Sequence, residues 1–151
     1  MMPRTHSGST TRSDTRAVTI EAPVDQVFDF IADPANLPRW AVGFCRAIHR
    51  DDDKPVDSGR WIVSTARGDV PIRYVTDRTL GVIDFYLSPA PGIDAIAFSR
   101  VVPNGDGAEY VFTQFRAPGM SDELFEGQVR ALMEELQVLR SLMRARAACP
   151  G

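Results

Sequence analysis

Apolar positions recur along this chain with two different periods, and the changes of period divide it into elements. Ala17-Val18-Thr19-Ile20-Glu21 alternates apolar and polar residues, the pattern of a half-buried strand. Behind Pro23, which a first helical turn tolerates, Val24, Val27, Phe28 and Ile31 follow at helical spacing and predict a helix that buries one face. Asp33-Pro34 closes it, leaving room over 34–38 for one short second helical turn before Arg39-Trp40. From Val42 the period falls to two, with strands expected over 42–50, 60–67, 69–77, 81–88, 94–102 and 108–116. The turns between them fall at 51–55, Gly68, Pro89-Ala90-Pro91-Gly92 and Asn104-Gly105-Asp106-Gly107, which predicts an antiparallel meander.

The helical period then returns. Phe125, Val129, Leu132, Leu136, Leu139 and Met143 form one apolar stripe behind a candidate N-cap, Ser121. Asp122 and Glu123 at its start and Arg140, Arg144 and Arg146 near its end suit the helix dipole. About 25 residues at ~1.5 Å each would span a whole sheet. The stripe fits a coiled-coil seam as well, but the sheet needs a cover for its apolar face, which favours docking within the domain. Gly127 inside this helix suggests close backbone packing or room left for a ligand.

Composition narrows the class of protein. The 151 residues suit one domain, expected over 15–147 between a disordered leader (1–14) and tail (148–151). The leader is rich in Ser, Thr and Arg like a transit peptide, but it lacks an apolar face, and His6 within it reads as solvated. A net charge of -3 argues against a nucleic-acid partner, whose phosphates call for a concentrated basic excess. Cys45 and Cys149 alone make no disulfide framework, so a reducing, cytoplasmic setting is expected. No run approaches the ~18 apolar residues of a membrane span, so no membrane partner is expected. Asp51-Asp52-Asp53 lacks the glycine turn and distal glutamate of a calcium loop and reads as a solvated turn. Neither a nucleophile elbow, a phosphate loop nor a metal-spaced His/Cys cluster is present; no cofactor or metal is expected.

Several stretches resemble the START/Bet v 1-like (SRPBCC) superfamily, in its bacterial polyketide cyclase/dehydrase-like branch. They are Ile20-Glu21-Ala22-Pro23 leading to Val27-Phe28, then Asp33-Pro34-Ala35-Asn36-Leu37-Pro38-Arg39-Trp40, the run from Arg100 to Gly107, and Pro118-Gly119-Met120-Ser121-Asp122. The resemblance implies an α+β helix-grip fold: a curved seven-stranded antiparallel sheet, two short helices and a long C-terminal helix enclosing a cavity. It also implies a small hydrophobic or aromatic ligand, without saying whether that ligand is transformed.

The centre of a hairpin turn sets which residues face one another, and a slip of one residue exchanges the two faces. Centring the turns at Thr79, Gly92 and Gly105 pairs Tyr74 with Asp84, Asp84 with Arg100, and Arg100 with Tyr110. Their face also carries Trp61, Val63, Ile72, Val82, Tyr86, Ile96, Phe98 and Phe112, and is assigned to the cavity. The other face, with Ser64, Arg73, Asp77, Ser99, Glu109 and Thr113, reads as solvated, against the trend of Ile83, Phe85 and Leu87. Asp84 and Arg100 are the catalytic candidates: Arg100 to orient a ligand oxygen, Asp84 to act as a base or to hold Arg100. The alternative is a cross-strand ion pair that fixes register. Trp40, Phe44, Trp61, Tyr74, Tyr86, Phe98, Tyr110, Phe112 and Met133 are candidate ligand-binding residues, with ordinary core packing as the alternative for each. His49, at a strand end, is either a general base or solvated. Two functions remain open: a cofactor-independent enzyme promoting cyclisation or dehydration, and a non-enzymatic carrier or sensor. A homodimer is compatible with both.

Overall fold

A computed structural model describes residues 8–148; the expectations placed on 1–7 and 149–151, with His6 and Cys149, lie outside the described residues. The chain runs β1 (Ser13–Ile20), α1 (Val24–Ala32), a 3-10 turn (Pro34–Asn36), α2 (Leu37–Trp40) and β2 (Ala47–Arg50). After a second 3-10 turn (Val56–Ser58) come β3 (Arg60–Thr65), β4 (Gly68–Asp77), β5 (Val82–Ala90), β6 (Ile93–Asn104), β7 (Gly107–Phe115) and α3 (Asp122–Ala148). The seven strands form one antiparallel sheet in the order β1-β7-β6-β5-β4-β3-β2, so the first strand pairs with the last. Helix α3 packs on β1 and α2, and α1 packs on β6 and β7, which covers one face of the sheet and gives the expected helix-grip architecture.

Local chemistry explains the helix positions. Asp33 leaves α1 in an extended conformation, and its carboxylate accepts the Ala35 N–H at 3.0 Å to start the next turn. Ser121 Oγ accepts the Leu124 N–H at 3.1 Å, the expected N-cap of α3. All six residues of the α3 stripe are buried, so the stripe docks on its own domain. Gly127 is no close-packing point, because an added Cβ would meet only the end of the Arg130 side chain, at 3.9 Å.

Two boundaries differ from expectation. Strand β1 begins at Ser13, four residues before the alternation read from Ala17 and two residues inside the expected leader, where Thr15 bonds the Thr113 hydroxyl at 2.8 Å and Arg12 reaches Asp122 on α3 at 3.2 Å. The strand expected over 42–50 keeps only Ala47–Arg50. The N–H groups of Phe44 and Cys45 turn back to the Ala41 carbonyl at 3.0 and 2.8 Å, so 42–46 form a loop after α2.

The register differs as well, and this decides which side chains face inward. Tyr74 pairs with Phe85 and Val75 with Asp84, because the β4–β5 connection holds four residues, Arg78 to Gly81. Arg100 pairs with Val111 and Val101 with Tyr110, because β6 and β7 are joined by the two-residue turn Gly105-Asp106. Each turn centre lies between residues rather than on one. β5 and β6 are therefore both reversed against the expected face, whereas β3, β4 and β7 are not. Between β5 and β6, Val82 faces Arg100, and an irregularity follows between Leu87 and Ala90.

Candidate functional site

The inner face, the one beneath the helices, is therefore Trp61, Val63, Ile72 and Tyr74 from β3 and β4, Ile83, Phe85 and Leu87 from β5, Ala97, Ser99 and Val101 from β6, and Ala108, Tyr110 and Phe112 from β7. Ile83 and Phe85, assigned by sequence to the solvated side with Ser99, are buried, and so is Ser99. A run of rings crosses this face. Trp40, brought in by α2, stands edge-on to Tyr110 at 6.2 Å, Tyr110 to Phe112 at 6.2 Å, Phe112 lies 5.9 Å from Phe85, and Phe85 stands edge-on to Tyr74 at 4.9 Å. Edge-to-face pairs of this kind add to the stabilisation that burial of the rings provides. Phe112, Leu87, Trp61 and Phe44 are only partly buried, with Val138 and Leu142 of α3 packed against the same core.

The polar groups on this face divide in two. Tyr110 is fully buried; its hydroxyl bonds Ser99 Oγ at 2.9 Å, and Ser99 Oγ donates to the Ile83 carbonyl. Burial pushes the Tyr110 phenol up, and the bond to Ser99 pulls it partly back. By contrast, the Tyr74 hydroxyl and Trp40 Nε1 are buried without a hydrogen-bond partner among the described residues. Burial pushes the Tyr74 phenol well up, reinforced by Tyr110, Cys45 and Asp33. Toward the β1 end, Arg16 and Asp14 lie on the rows that continue to Val18 and Ile20, joined by two parallel bonds of 2.9 and 3.1 Å. This pair is partly exposed and forms a charged rim.

Glu135 of α3 is 6% exposed, and its Oε2 accepts the N–H groups of Gly43 and Phe44 at 3.1 Å each, tying α3 to the loop after α2. Burial raises its carboxyl to about 7, the two N–H bonds oppose that rise, and Glu134 adds to it. The neighbouring Cys45 thiol is pushed up to about 11, by burial first and by Glu135 second. Sequence reasoning passed over Glu135, although its spacing of three from Leu132 and four from Leu139 places it beside the apolar stripe.

The sequence-predicted residues fall into two groups. Trp40, Phe44, Trp61, Tyr74, Tyr110 and Phe112 come together on or against the inner face. Asp84, Tyr86, Phe98 and Arg100 lie on the outer face because of the reversed strands: Tyr86 lies under the Arg73 guanidinium, and Phe98 is 42% exposed. Asp84 and Arg100 do not pair. Asp84 accepts the Ser99 N–H at 3.3 Å, while Arg100 donates twice to the Leu80 carbonyl, at 3.1 and 2.8 Å, bracing the β4–β5 turn. His49 is exposed on the outer side of β2, and Met133 is 45% exposed on α3. Asp51 accepts the Asp53 N–H within its own turn. Among the described residues, no helix is long and apolar enough to cross a membrane.

A sequence profile for the family described as polyketide cyclase / dehydrase and lipid transport matches residues 11–144. The sequence matches no curated protein. Among solved structures, the Zhui aromatase/cyclase from a Streptomyces species superposes with a TM-score of 0.71 at 18% identity, over 91% of this chain and 96% of that one. The di-domain ARO/CYC BexL gives 0.72 at 18% identity over 92% of this chain, which spans about half (48%) of the di-domain chain. Ara h 8.0201 gives 0.69 at 12% identity, covering 90% of this chain and 99% of that one. At these identities the likeness is one of fold.

Proposed function

The chain belongs to the polyketide cyclase/dehydrase and lipid transport family, and from that premise we propose that it binds one small, largely apolar aromatic molecule between the inner sheet face and α3. The observation that carries this reading is the division of chemistry between the two faces. Tilted and edge-on rings line the inner side, whereas Asp84, Arg100 and His49 lie on the outer one. Trp40, Trp61, Tyr74, Tyr110 and Phe112 would form the wall, and the partly buried rings among them, with Phe44, are the surfaces that a ligand could still cover. Carriage or sensing fits this arrangement better than catalysis by Asp84, Arg100 or His49, which would have to lie within hydrogen-bond reach of the substrate.

The test is to purify the protein from its native host without denaturation and identify the bound small molecule by mass spectrometry. The expected result is an apolar aromatic compound near one equivalent, recovered unchanged after incubation. Recovery in cyclised or dehydrated form would establish catalysis, and the absence of any ligand, together with no binding of fused-ring aromatics, would overturn the reading.

A further inference from the structure

We infer that the loop over 41–46 is a latch on α3, closed while Glu135 holds a proton and released when this carboxyl ionises. The segment is anchored at both ends. Ala41 is buried and its carbonyl takes the N–H groups of Phe44 and Cys45, while the Arg46 N–H bonds the Ser64 carbonyl of β3. Between these anchors the loop is tied to α3 by one side chain: among the described residues, the hydrogen bonds from loop to helix are those of the Gly43 and Phe44 N–H groups to Glu135 Oε2. The Phe44 N–H is shared with Ala41, whereas Gly43 has Glu135 as its acceptor. Contact is close here, since a Cβ on Gly43 would lie 3.5 Å from Ala131 Cβ and 3.6 Å from Glu135 Oε2. Release would bare Phe44, half-buried against the core, and the buried Cys45.

The charges around Glu135 set the direction. Among the described residues it forms no salt bridge. Its own helix places Glu134 next to it, and the loop brings the Cys45 thiol and the exposed Arg46. The elements packed on α3 bring cations that are engaged elsewhere. On the β1 side, Arg16 is paired with Asp14, and Arg12 with Asp122 and Glu126; on α2, Arg39 bonds Asn36 and lies over the Phe30 ring. An ionised Glu135 is therefore buried without a counter-charge, and two N–H bonds offset only part of its lost hydration. Protonated, it still offers an oxygen to both N–H groups. Burial holds the engaged carboxyl at about 7, against 4.5 for one in water, so the closed loop binds the proton more tightly and rising pH favours release.

Amide exchange in the full chain, read by NMR from pH 5 to 8 and expressed against the unstructured rate at each pH, tests the latch. Gly43 should be less protected than Val101 in the middle of the sheet, because the loop opens without the strands. Its protection should fall about 70-fold from pH 5 to 8, the ratio given by 7 closed and 4.5 open, and should not vary with pH in E135Q. With Cys149→Ser, alkylation of Cys45 relative to the unfolded chain at the same pH should rise by a like factor, a measurement that does not depend on E135Q folding. A flat pH profile at Gly43 or Cys45, the same fall in E135Q, or protection at Gly43 equal to that at Val101 would overturn the latch. None of these measurements involves a ligand, so the outcome is separate from that of the proposed function.

Discussion

Glu135→Gln isolates the buried carboxyl that joins α3 to the loop after α2. In the folded chain this group titrates at about 7 against an ordinary 4.5, so folding favours its protonated form. A difference of about 2.5 pKa units corresponds to roughly 3 kcal/mol. The sign follows from a raised folded value: the contribution is fully present below 4.5, declines through the interval above it, and is lost as pH passes about 7. Glutamine keeps an oxygen for the Gly43 and Phe44 N–H groups but cannot ionise. Its buried amide nitrogen adds a cost that does not vary with pH. The quantity to measure is therefore the stability of wild type minus that of E135Q, from urea unfolding at closely spaced pH values between 4.5 and 8. It should fall by roughly 3 kcal/mol across that range, most of it between 5 and 7. A difference constant to within about 0.5 kcal/mol would mean that the carboxyl titrates alike folded and unfolded, and would refute its burial against the 43–44 loop.

Three further substitutions probe other parts of the account. Leu136→Gln puts an amide into the helix-to-sheet core and should cost about 2–4 kcal/mol by denaturant unfolding; an unchanged midpoint would mean that the stripe does not dock there. Gly81→Ala combines a positive φ with a Cβ driven into the Val101 carbonyl, and should destabilise by about 3 kcal/mol or more, whereas near-neutrality would contradict the close approach of the β4–β5 turn to β6. Asp84→Asn with Arg100→Ala should leave the affinity for 2-naphthol within about twofold of wild type by fluorescence titration, while a tenfold loss would return these residues to the site.

The elements were legible in the sequence because each carries its own period and stop signals. The α3 stripe, the Ser121 cap and the Asp33-Pro34 break could be read locally, and each stands where it was placed. The faces of β5 and β6 were harder to read, because they depend on whether a turn holds an odd or even number of residues. At Arg78–Gly81 and Gly105-Asp106 one residue of parity moved Asp84 and Arg100 outward and brought Phe85 and Ser99 inward. The sequence did contain a warning: Ile83, Phe85 and Leu87 make an apolar row that a solvated face does not need. Nothing local marked Ser99 for the inner face either, since the groups its hydroxyl bonds there, Tyr110 and the Ile83 carbonyl, are distant in sequence. Glu135 likewise reads as a surface residue until the loop at Gly43 and Phe44 turns its N–H groups toward it.

The central claim concerns which face meets the ligand, and intermolecular NOEs from bound 2-naphthol to assigned methyl groups test it most directly. The account predicts contacts to inner-face and α3 methyls such as those of Leu87, Val138 and Leu142, with none to Val75 or Ile96 outside. Contacts to Val75 or Ile96 in place of the inner set would contradict it.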